Sequence, residues 1–171
     1  MSALDWSKIS LFEGFPPEWL AAVQGIFDHL RLPAGTVLIE EGQAGNDMFV
    51  LVSGRVRVTK SMLLKDMVLP LAVVDNPRKV LATLDGSIYP VFGEIALIDQ
   101  DTRSATVTVL EDAEFLCTDR DRFFALAERE PALAYRLLLI LAKRFAATIR
   151  KGNSELVKLS TALALALSRG T

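Results

Sequence analysis

Short apolar runs separated by turn-forming residues dominate the chain between residues 30 and 118. Within residues 55–59 apolar and polar side chains alternate strictly, which places Val56 and Val58 on one face of a half-buried strand. Strands this short and closely spaced are typical of a sandwich or barrel. The predicted strands are residues 30–32, 37–39, 48–52, 56–59, 105–110 and 115–118, with turns at 33–35, 42–46 and 53–54 and an irregular excursion between two strands within 60–86.

Helical patterns occupy both ends of the chain. Residues 6–27 have the apolar spacing of two short helices separated by Pro16-Pro17, and Pro17 suits the first turn of the second helix. Asp119 is a predicted N-cap for the helix that follows the last strand. From Pro131 onward, apolar residues recur at three- and four-residue steps, which predicts a long amphipathic helix that Gly152-Asn153 bends or interrupts.

These elements predict an α+β, mainly β fold with two regions. Residues 1–130 form a β-barrel or jelly roll with short N-terminal helices. Residues 131–171 form a long C-terminal helix or helices for dimerisation and signalling. The apolar stripe of this second region either packs back on the barrel or pairs with a second copy, and its extent favours a parallel homodimer. Its scattered basic residues are interpreted as a solvated helix face.

The composition is that of a folded protein and disfavours several classes of function. The chain has 171 residues, of which 51% are hydrophobic and 23% charged, and its formal net charge is -2. We expect no direct nucleic-acid binding, because no sequence-wide basic field is present to neutralise phosphates. A single histidine, His29, and a single cysteine, Cys117, disfavour zinc and iron–sulfur sites, so we expect no metal. His29 is interpreted as a structural imidazole and Cys117 as a packing residue.

The hydropathy pattern predicts no membrane span. The most apolar run, residues 137–142, is far shorter than the ~20 residues that a spanning helix needs. The N-terminus also lacks the basic start and apolar core of a secretory signal. We therefore expect a cytoplasmic protein.

One segment concentrates residues suited to a phosphosugar. Residues 92–107 read Phe-Gly-Glu-Ile-Ala-Leu-Ile-Asp-Gln-Asp-Thr-Arg-Ser-Ala-Thr-Val. Gly93 permits close backbone approach, and a helical turn from Glu94 points unpaired N–H groups at an anion. Arg103 offers a forked set of donors for phosphate oxygens, and Glu94 can accept hydrogen bonds from a ribose hydroxyl. The simpler alternative is that Glu94 and Arg103 only pair with each other across a loop.

This segment resembles the phosphate-binding cassette of the cyclic nucleotide-binding domains, whose pattern is Phe-Gly-Glu, an aliphatic stretch around Ala-Leu, a short loop and Arg-x-Ala-Thr. A weaker likeness extends over residues 30–126. The resemblance implies a non-catalytic β-barrel with flanking helices. It assigns Glu94 to the ribose 2′-hydroxyl and Arg103 to the cyclic phosphate. The backbone or hydroxyl contacts that it implies fall on Gly93, Ile95, Ala96, Ser104 and Ala105.

Within that family, the C-terminal region is most similar to the sensor domain of the bacterial cyclic-AMP receptors. That likeness places an adenine contact at Thr148 and favours cyclic AMP over cyclic GMP. Three departures bear on the pocket. Thr102 replaces a common proline, residues 86–91 lengthen the approach to Phe92, and Ile149 replaces a polar helix residue, which leaves the identity of the base open.

Three functions compete. The first is a non-catalytic cyclic-nucleotide sensor that signals through its C-terminal helices to an unknown effector protein, with cyclic AMP or cyclic GMP as ligand and no cofactor. Transcription factors of this kind continue into a helix-turn-helix domain, for which this sequence has no room, so the sensor needs a partner or the chain is a fragment. The second is a ligand-free interaction domain that keeps the barrel. The third, an enzyme, is disfavoured because no nucleophile-and-base motif is present.

Overall fold

A computed structural model describes residues 4–62 and 78–168. The chain divides into two compact units, Met1–Glu130 and Pro131–Thr171. The dimerisation and signalling role of the second unit stays a prediction.

The first unit is built on an antiparallel sheet, with short helices around it. Its strands are β1 (Asp28–Leu32), β2 (Val37–Ile39), β3 (Asp47–Ser61), β4 (Arg78–Asp85), β5 (Val91–Phe92) and β6 (Thr106–Asp119), and its helices are α1 (Pro17–Gln24), α2 (Glu94–Asp99) and α3 (Arg120–Arg129). Single helical turns at Trp6–Lys8 and Gly86–Ile88 belong to the same unit. The strand order is β1-β6-β3-β4, and β2 also pairs with β6 and β5 with β3.

The mainly β fold class is confirmed, as a jelly-roll-like sheet and not as a closed barrel among the described strands. Two long strands, β3 and β6, pair from Asp47 opposite Asp119 to Thr59 opposite Thr106. The predicted turn at Ser53-Gly54 is wrong, because β3 runs through it. Gly54 has φ +84°, and the pairing register shifts on both sides of it. A positive φ is easy for glycine, so the residue forms a bulge within one strand instead of a chain reversal.

The second long strand, β6, joins what the pattern separated into residues 105–110 and 115–118. The intervening Glu111 and Asp112 are exposed polar residues within the strand. The Arg55 side chain pairs with Glu111 across to β3. Polar residues on an exposed strand face resemble a loop in sequence, and this accounts for the predicted break.

Three aromatic rings fill the core beside the segment predicted to bind a ligand. The ring centroids of Phe49 and Phe92 are 5.9 Å apart, and that of Phe115 is 6.3 Å from Phe92 and 6.5 Å from Phe49. All three side chains are buried. Because Phe92 immediately precedes Gly93, this packing sets where the segment predicted to bind a ligand begins.

The helical predictions hold in part. Pro17 begins α1, as expected, but the first predicted helix is only the single turn Trp6–Lys8. Asp119 is the N-cap of α3, since its carboxylate accepts a 2.9 Å hydrogen bond from the backbone N–H of Arg122.

The second unit contains one continuous helix, α4 (Pro131–Ser168), of 38 residues. The predicted interruption at Gly152-Asn153 is therefore wrong. A glycine within a helix costs only about 1 kcal/mol relative to alanine. Strong helix formers on both sides offset that cost, and the helix continues. No helix of the described ranges is long and apolar enough to cross a membrane.

Two sequence interpretations concern the stretch between β3 and β5. The second predicted strand in residues 60–86 is β4. The irregular excursion predicted before it falls mainly on residues 63–77, which lie outside the described residues.

Candidate functional site

A cavity of about 190 Å³ lies where β5, α2 and the loop before β6 meet the sheet. Its floor is apolar, with Val58 of β3 and Val107 of β6 among its lining residues, and Arg103 and Glu94 supply its charged side chains. The cavity is therefore a small apolar hollow that carries one guanidinium and one carboxylate. The remaining lining residues are Ile39, Val91, Phe92, Gly93, Ile95, Ser104 and Ala105.

Arg103 is the most buried charged group of this site, with only 7% of its surface exposed. Its Nη1 donates to the carbonyl oxygens of Asp47, at 2.8 Å, and Gly93, at 3.2 Å. Its Nη2 lies 3.6 Å from the Asp47 carboxylate, and its backbone N–H donates to Gln43 at 2.8 Å. The guanidinium is thus held in one orientation before any ligand arrives, which is the pre-organisation that anion recognition requires.

The charge of Arg103 persists despite its burial. Burial lowers the pKa of the Arg103 guanidinium, and the negative charge of Asp47 opposes that effect. Because the ordinary pKa of an arginine lies far above neutral pH, the guanidinium stays protonated at neutral pH. A buried cation beside a half-exposed carboxylate favours a further anion in the cavity.

Two glycines make room for this arrangement. A Cβ atom built on Gly45 would approach Nε of Arg103 and lie 2.6 Å from Nη2 and 2.7 Å from Cζ. Gly93 has φ +84°, and a Cβ there would lie 2.8 Å from the carbonyl oxygen of Asp47. Both positions bring backbone against the guanidinium more closely than any side chain allows.

Glu94 is the first residue of α2, is partly buried and lines the same cavity as Arg103. The guanidinium has its ion pair with Asp47, so the simpler alternative of a Glu94–Arg103 pair is not needed to explain the burial of Arg103. The cavity therefore holds both a cation for an anionic group and an acceptor for a hydroxyl group.

The structure brings most of the sequence-predicted site residues to one place. Gly93, Glu94, Ile95, Arg103, Ser104 and Ala105 all line the cavity. The backbone of Ala96 lies within α2. Thr148 lies on α4, in the second unit, and is exposed, and its part in a site stays a prediction.

Sequence reasoning missed Gly45 and Asp47, both of which contact or border Arg103. Asp47 is separated from Arg103 by 56 positions. The sequence indicated only a turn at residues 42–46. No local pattern joins that turn to the cassette.

The remaining candidate groups do not add a reactive centre. Burial, aided by nearby carboxylates, raises the pKa of Cys117 to about 11, so its thiol is protonated at neutral pH and is a poor nucleophile. His29 is an exposed residue of β1. Across residues 4–62 and 78–168, no group of three histidine, cysteine, aspartate or glutamate side chains is placed to hold a metal ion.

Comparison with known proteins places this geometry in a family. The cyclic nucleotide-binding domain matches residues 29–130. The cyclic AMP receptor protein of Thermus thermophilus is 30% identical over 88% of this chain and 62% of its own length. A CRP-like cAMP-activated global transcriptional regulator of Mycobacterium tuberculosis is 24% identical over 90% of this chain and 61% of its own length. The chain thus spans less than two thirds of either relative.

Solved structures agree with these sequence matches. The crystal structure of the Thermus thermophilus catabolite activator protein superposes with a TM-score of 0.70 at 30% identity, covering 88% of this chain and 63% of that one. A cyclic nucleotide-binding domain from Methylobacillus flagellatus shares the fold, with a TM-score of 0.70 at 22% identity over 88% of this chain and 78% of its own. On these matches, the chain belongs to the cyclic nucleotide-binding domain family.

Proposed function

We propose that this domain is a non-catalytic sensor that binds a cyclic mononucleotide, preferring cyclic AMP, and signals through its C-terminal helix. The observation that carries the proposal is the buried, pre-oriented guanidinium of Arg103 in a cavity that also presents Glu94. In this proposal Arg103 binds the cyclic phosphate and Glu94 accepts a hydrogen bond from the ribose 2′-hydroxyl.

The other site residues complete the pocket. Backbone or hydroxyl groups of Gly93, Ile95, Ala96, Ser104 and Ala105 contact the phosphosugar. A cavity of about 190 Å³ is smaller than the ~300–1,000 Å³ of most ligand pockets. In this proposal it encloses the phosphate and ribose and leaves the base outside, and Thr148 stays the base contact that the sequence resemblance implies.

Similar proteins support cyclic AMP as the preferred ligand. The two bacterial relatives named for cyclic AMP match 88% and 90% of this chain. The cGMP-dependent protein kinase isozyme 1 of Drosophila melanogaster is 33% identical but matches only 68% of the chain and 14% of its own length. The match to the cyclic-AMP proteins is therefore the longer one.

Titration calorimetry with cyclic AMP, cyclic GMP and 5′-AMP tests the proposal. A ligand of about 22 non-hydrogen atoms at roughly 0.3 kcal/mol each gives a dissociation constant on the order of tens of micromolar. We expect that value for cyclic AMP, weaker binding of cyclic GMP and the weakest binding of the uncyclised 5′-AMP. A dissociation constant above about 1 mM for both cyclic nucleotides would contradict the sensor function.

The helix α4 carries the proposed route of signalling and the proposed dimer contact. Leu133, Leu137 and Leu141 are buried, whereas Leu156 and Leu163 are exposed. Several exposed apolar residues follow a heptad repeat, in which the first and fourth positions of each heptad form the seam of a coiled coil, whereas Val157, Leu165 and Leu167 lie at other positions. The first positions are Tyr135, Ala142, Ile149, Leu156 and Leu163, and the fourth positions are Leu138, Phe145, Gly152, Leu159 and Ala166.

The charges of α4 are compatible with a second copy of this chain on that seam. Its basic residues fall at the second and third positions of the heptads, away from the seam. Glu155 is the charged residue next to the seam, and its carboxylate pairs with Lys158 of the same helix at 2.8 Å. No like charges would therefore meet in a parallel homodimer, which we propose as the functional state. The basic residues in question are Arg136, Lys143, Arg144, Arg150, Lys151 and Lys158.

Leu156→Glu should dissociate the homodimer. Leu156 occupies a first position and is 63% exposed in the single chain, so a carboxylate there would be buried against its own copy. Val157 is 65% exposed but lies at a second position, which makes Val157→Glu a matched control. Sedimentation equilibrium should show a monomer for Leu156→Glu and a dimer for Val157→Glu. Equal masses for the two variants would argue against this seam.

The second candidate function is a ligand-free interaction domain that keeps the fold. The observation that favours it is that Arg103 already has protein partners in Asp47 and Gly93. In that case the guanidinium would serve only to join β3 to the start of α2. The same titrations decide between the two, because the alternative predicts no binding heat from either cyclic nucleotide.

A further inference from the structure

A second arginine, Arg120, holds the opposite end of α2. Its Nη1 donates to the carbonyl oxygens of Leu97, at 2.6 Å, and Ile98, at 2.9 Å. These carbonyls belong to the last turn of a six-residue helix, where no following turn supplies backbone donors. A cation there also opposes the partial negative charge of the helix C-terminus.

Arg120 is itself rigidly placed. It is the first residue of α3, and its guanidinium carbon lies 4.3 Å from the ring centroid of Phe124, in cation–π contact. Its backbone N–H donates to the carbonyl oxygen of Asn46 at 3.0 Å. The side chain is therefore held against Phe124 of α3, and the backbone at its base is joined to Asn46, the residue before β3.

The two arginines form one frame around α2. Arg103 binds the carbonyl of Gly93, immediately before the helix, and Arg120 binds the carbonyls at its end. The backbone N–H of Arg120 donates to the carbonyl oxygen of Asn46, and the side chain of Arg103 donates to that of the next residue, Asp47. A helix of six residues is too short to be stable by itself, so its position depends on such end contacts.

We propose that Arg120 is a positioning residue that sets where α2, and with it Glu94, stands relative to Arg103, and that it couples α2 to α3. The part that concerns the ligand rests on the proposed function. Arg120 is absent from the residues that line the cavity, so it acts on the ligand only through α2.

The first test compares two ligands that differ only at the group Glu94 is proposed to read. Titrations with cyclic AMP and 2′-deoxy cyclic AMP are made on the full chain, on Arg120→Met and on Arg122→Met. Arg122 lies on the same helix, and its side chain pairs with Asp28 and Asp119, neither of which belongs to α2, so it is the matched control.

We expect Arg120→Met to lower the affinity for cyclic AMP about tenfold, the loss of roughly one charge-assisted hydrogen bond, with little effect on 2′-deoxy cyclic AMP. The preference for the ribose form should therefore collapse in this variant and persist in Arg122→Met. Arg120→Lys, which keeps the charge with a single donor group, should restore part of the preference. Equal weakening of both ligands would overturn the positioning role.

The second test needs no ligand. Hydrogen exchange followed by mass spectrometry should show the amides of α2 exchanging about tenfold faster in Arg120→Met than in the unmodified chain or in Arg122→Met, because the helix has lost its C-terminal anchor. Unchanged exchange in α2 would overturn the inference. If the unmodified chain binds neither cyclic nucleotide, the sensor function fails, and this measurement still decides whether Arg120 positions α2.

Discussion

Arg103→Ala should lower the affinity for cyclic AMP by about 100-fold or more. Hydrogen bonds to charged groups contribute roughly 1.5–3 kcal/mol each, and the guanidinium presents donors as a fork that suits two phosphate oxygens. Two such bonds correspond to at least about 100-fold in the dissociation constant. The loss is expected to be this large because Arg103 is buried and already oriented, so its contribution is not reduced by solvent or by ordering. Titration calorimetry measures it.

Two variants separate the geometry of Arg103 from its charge. Arg103→Lys keeps a positive charge but lacks the planar fork, so it should recover only part of the lost affinity. Arg122→Ala removes an exposed arginine that pairs with Asp28, and it should leave the dissociation constant unchanged. Thermal unfolding should show Arg103→Ala still folded. Binding by Arg103→Ala within a factor of about three of the unmodified chain would place the phosphate elsewhere.

The fold class and the cassette could be predicted because both depend on patterns among residues that are close together in the sequence. Alternation in residues 55–59 placed Val56 in the core and Arg55 and Arg57 on the exposed face, and the structure confirms this. The cassette is a run of neighbouring residues, so its residue types and spacing indicate a phosphosugar site without knowledge of the fold. Six of its predicted members line one cavity, namely Gly93, Glu94, Ile95, Arg103, Ser104 and Ala105.

The predictions that failed concern residues whose local preference is overridden by their partners. Ser53-Gly54 has the composition of a turn, but pairing of β3 with β6 on both sides of it makes a bulge less costly than a break. Gly152-Asn153 likewise weakens the helix locally, yet the strong helix formers around it keep α4 continuous. In both places the cooperative structure on either side is more stable than the break that the local residues favour.

The parts of the site that sequence reasoning did not find are contacts between distant segments. Asp47 lies 56 positions from Arg103, and Arg120 lies 23 from Leu97. Neither pair has a spacing that any helix or strand periodicity would produce. The residues proposed to contact the ligand could therefore be named from the sequence, whereas the residues that hold them in place could be identified only from the fold.

The strongest test of the residues that hold the proposed ligand contacts in place is Gly45→Ala. This substitution changes none of the residues proposed to contact the ligand. Its new methyl group would lie 2.6 Å from Nη2 and 2.7 Å from Cζ of Arg103, well inside van der Waals contact. The overlapping atoms belong to the end of a side chain, so the guanidinium, and not the backbone, is expected to move. Arg103 would then lose its hydrogen bonds to Asp47 and Gly93. We expect binding of cyclic AMP to weaken by more than about tenfold, because even one lost charge-assisted bond is worth that much.

Gly25→Ala is the matched control for this prediction. Gly25 belongs to the same unit and has φ -65°, and its added Cβ would lie 3.5 Å from the carbonyl oxygen of Ala22, an ordinary contact. Calorimetry should show unchanged binding for Gly25→Ala and weakened binding for Gly45→Ala, while thermal unfolding shows both variants folded. Weakened binding without unfolding would mean that the affinity depends on the orientation of Arg103 and not on its charge alone. Undiminished binding by Gly45→Ala would instead show that the guanidinium does not need its Asp47 and Gly93 contacts to hold the phosphate.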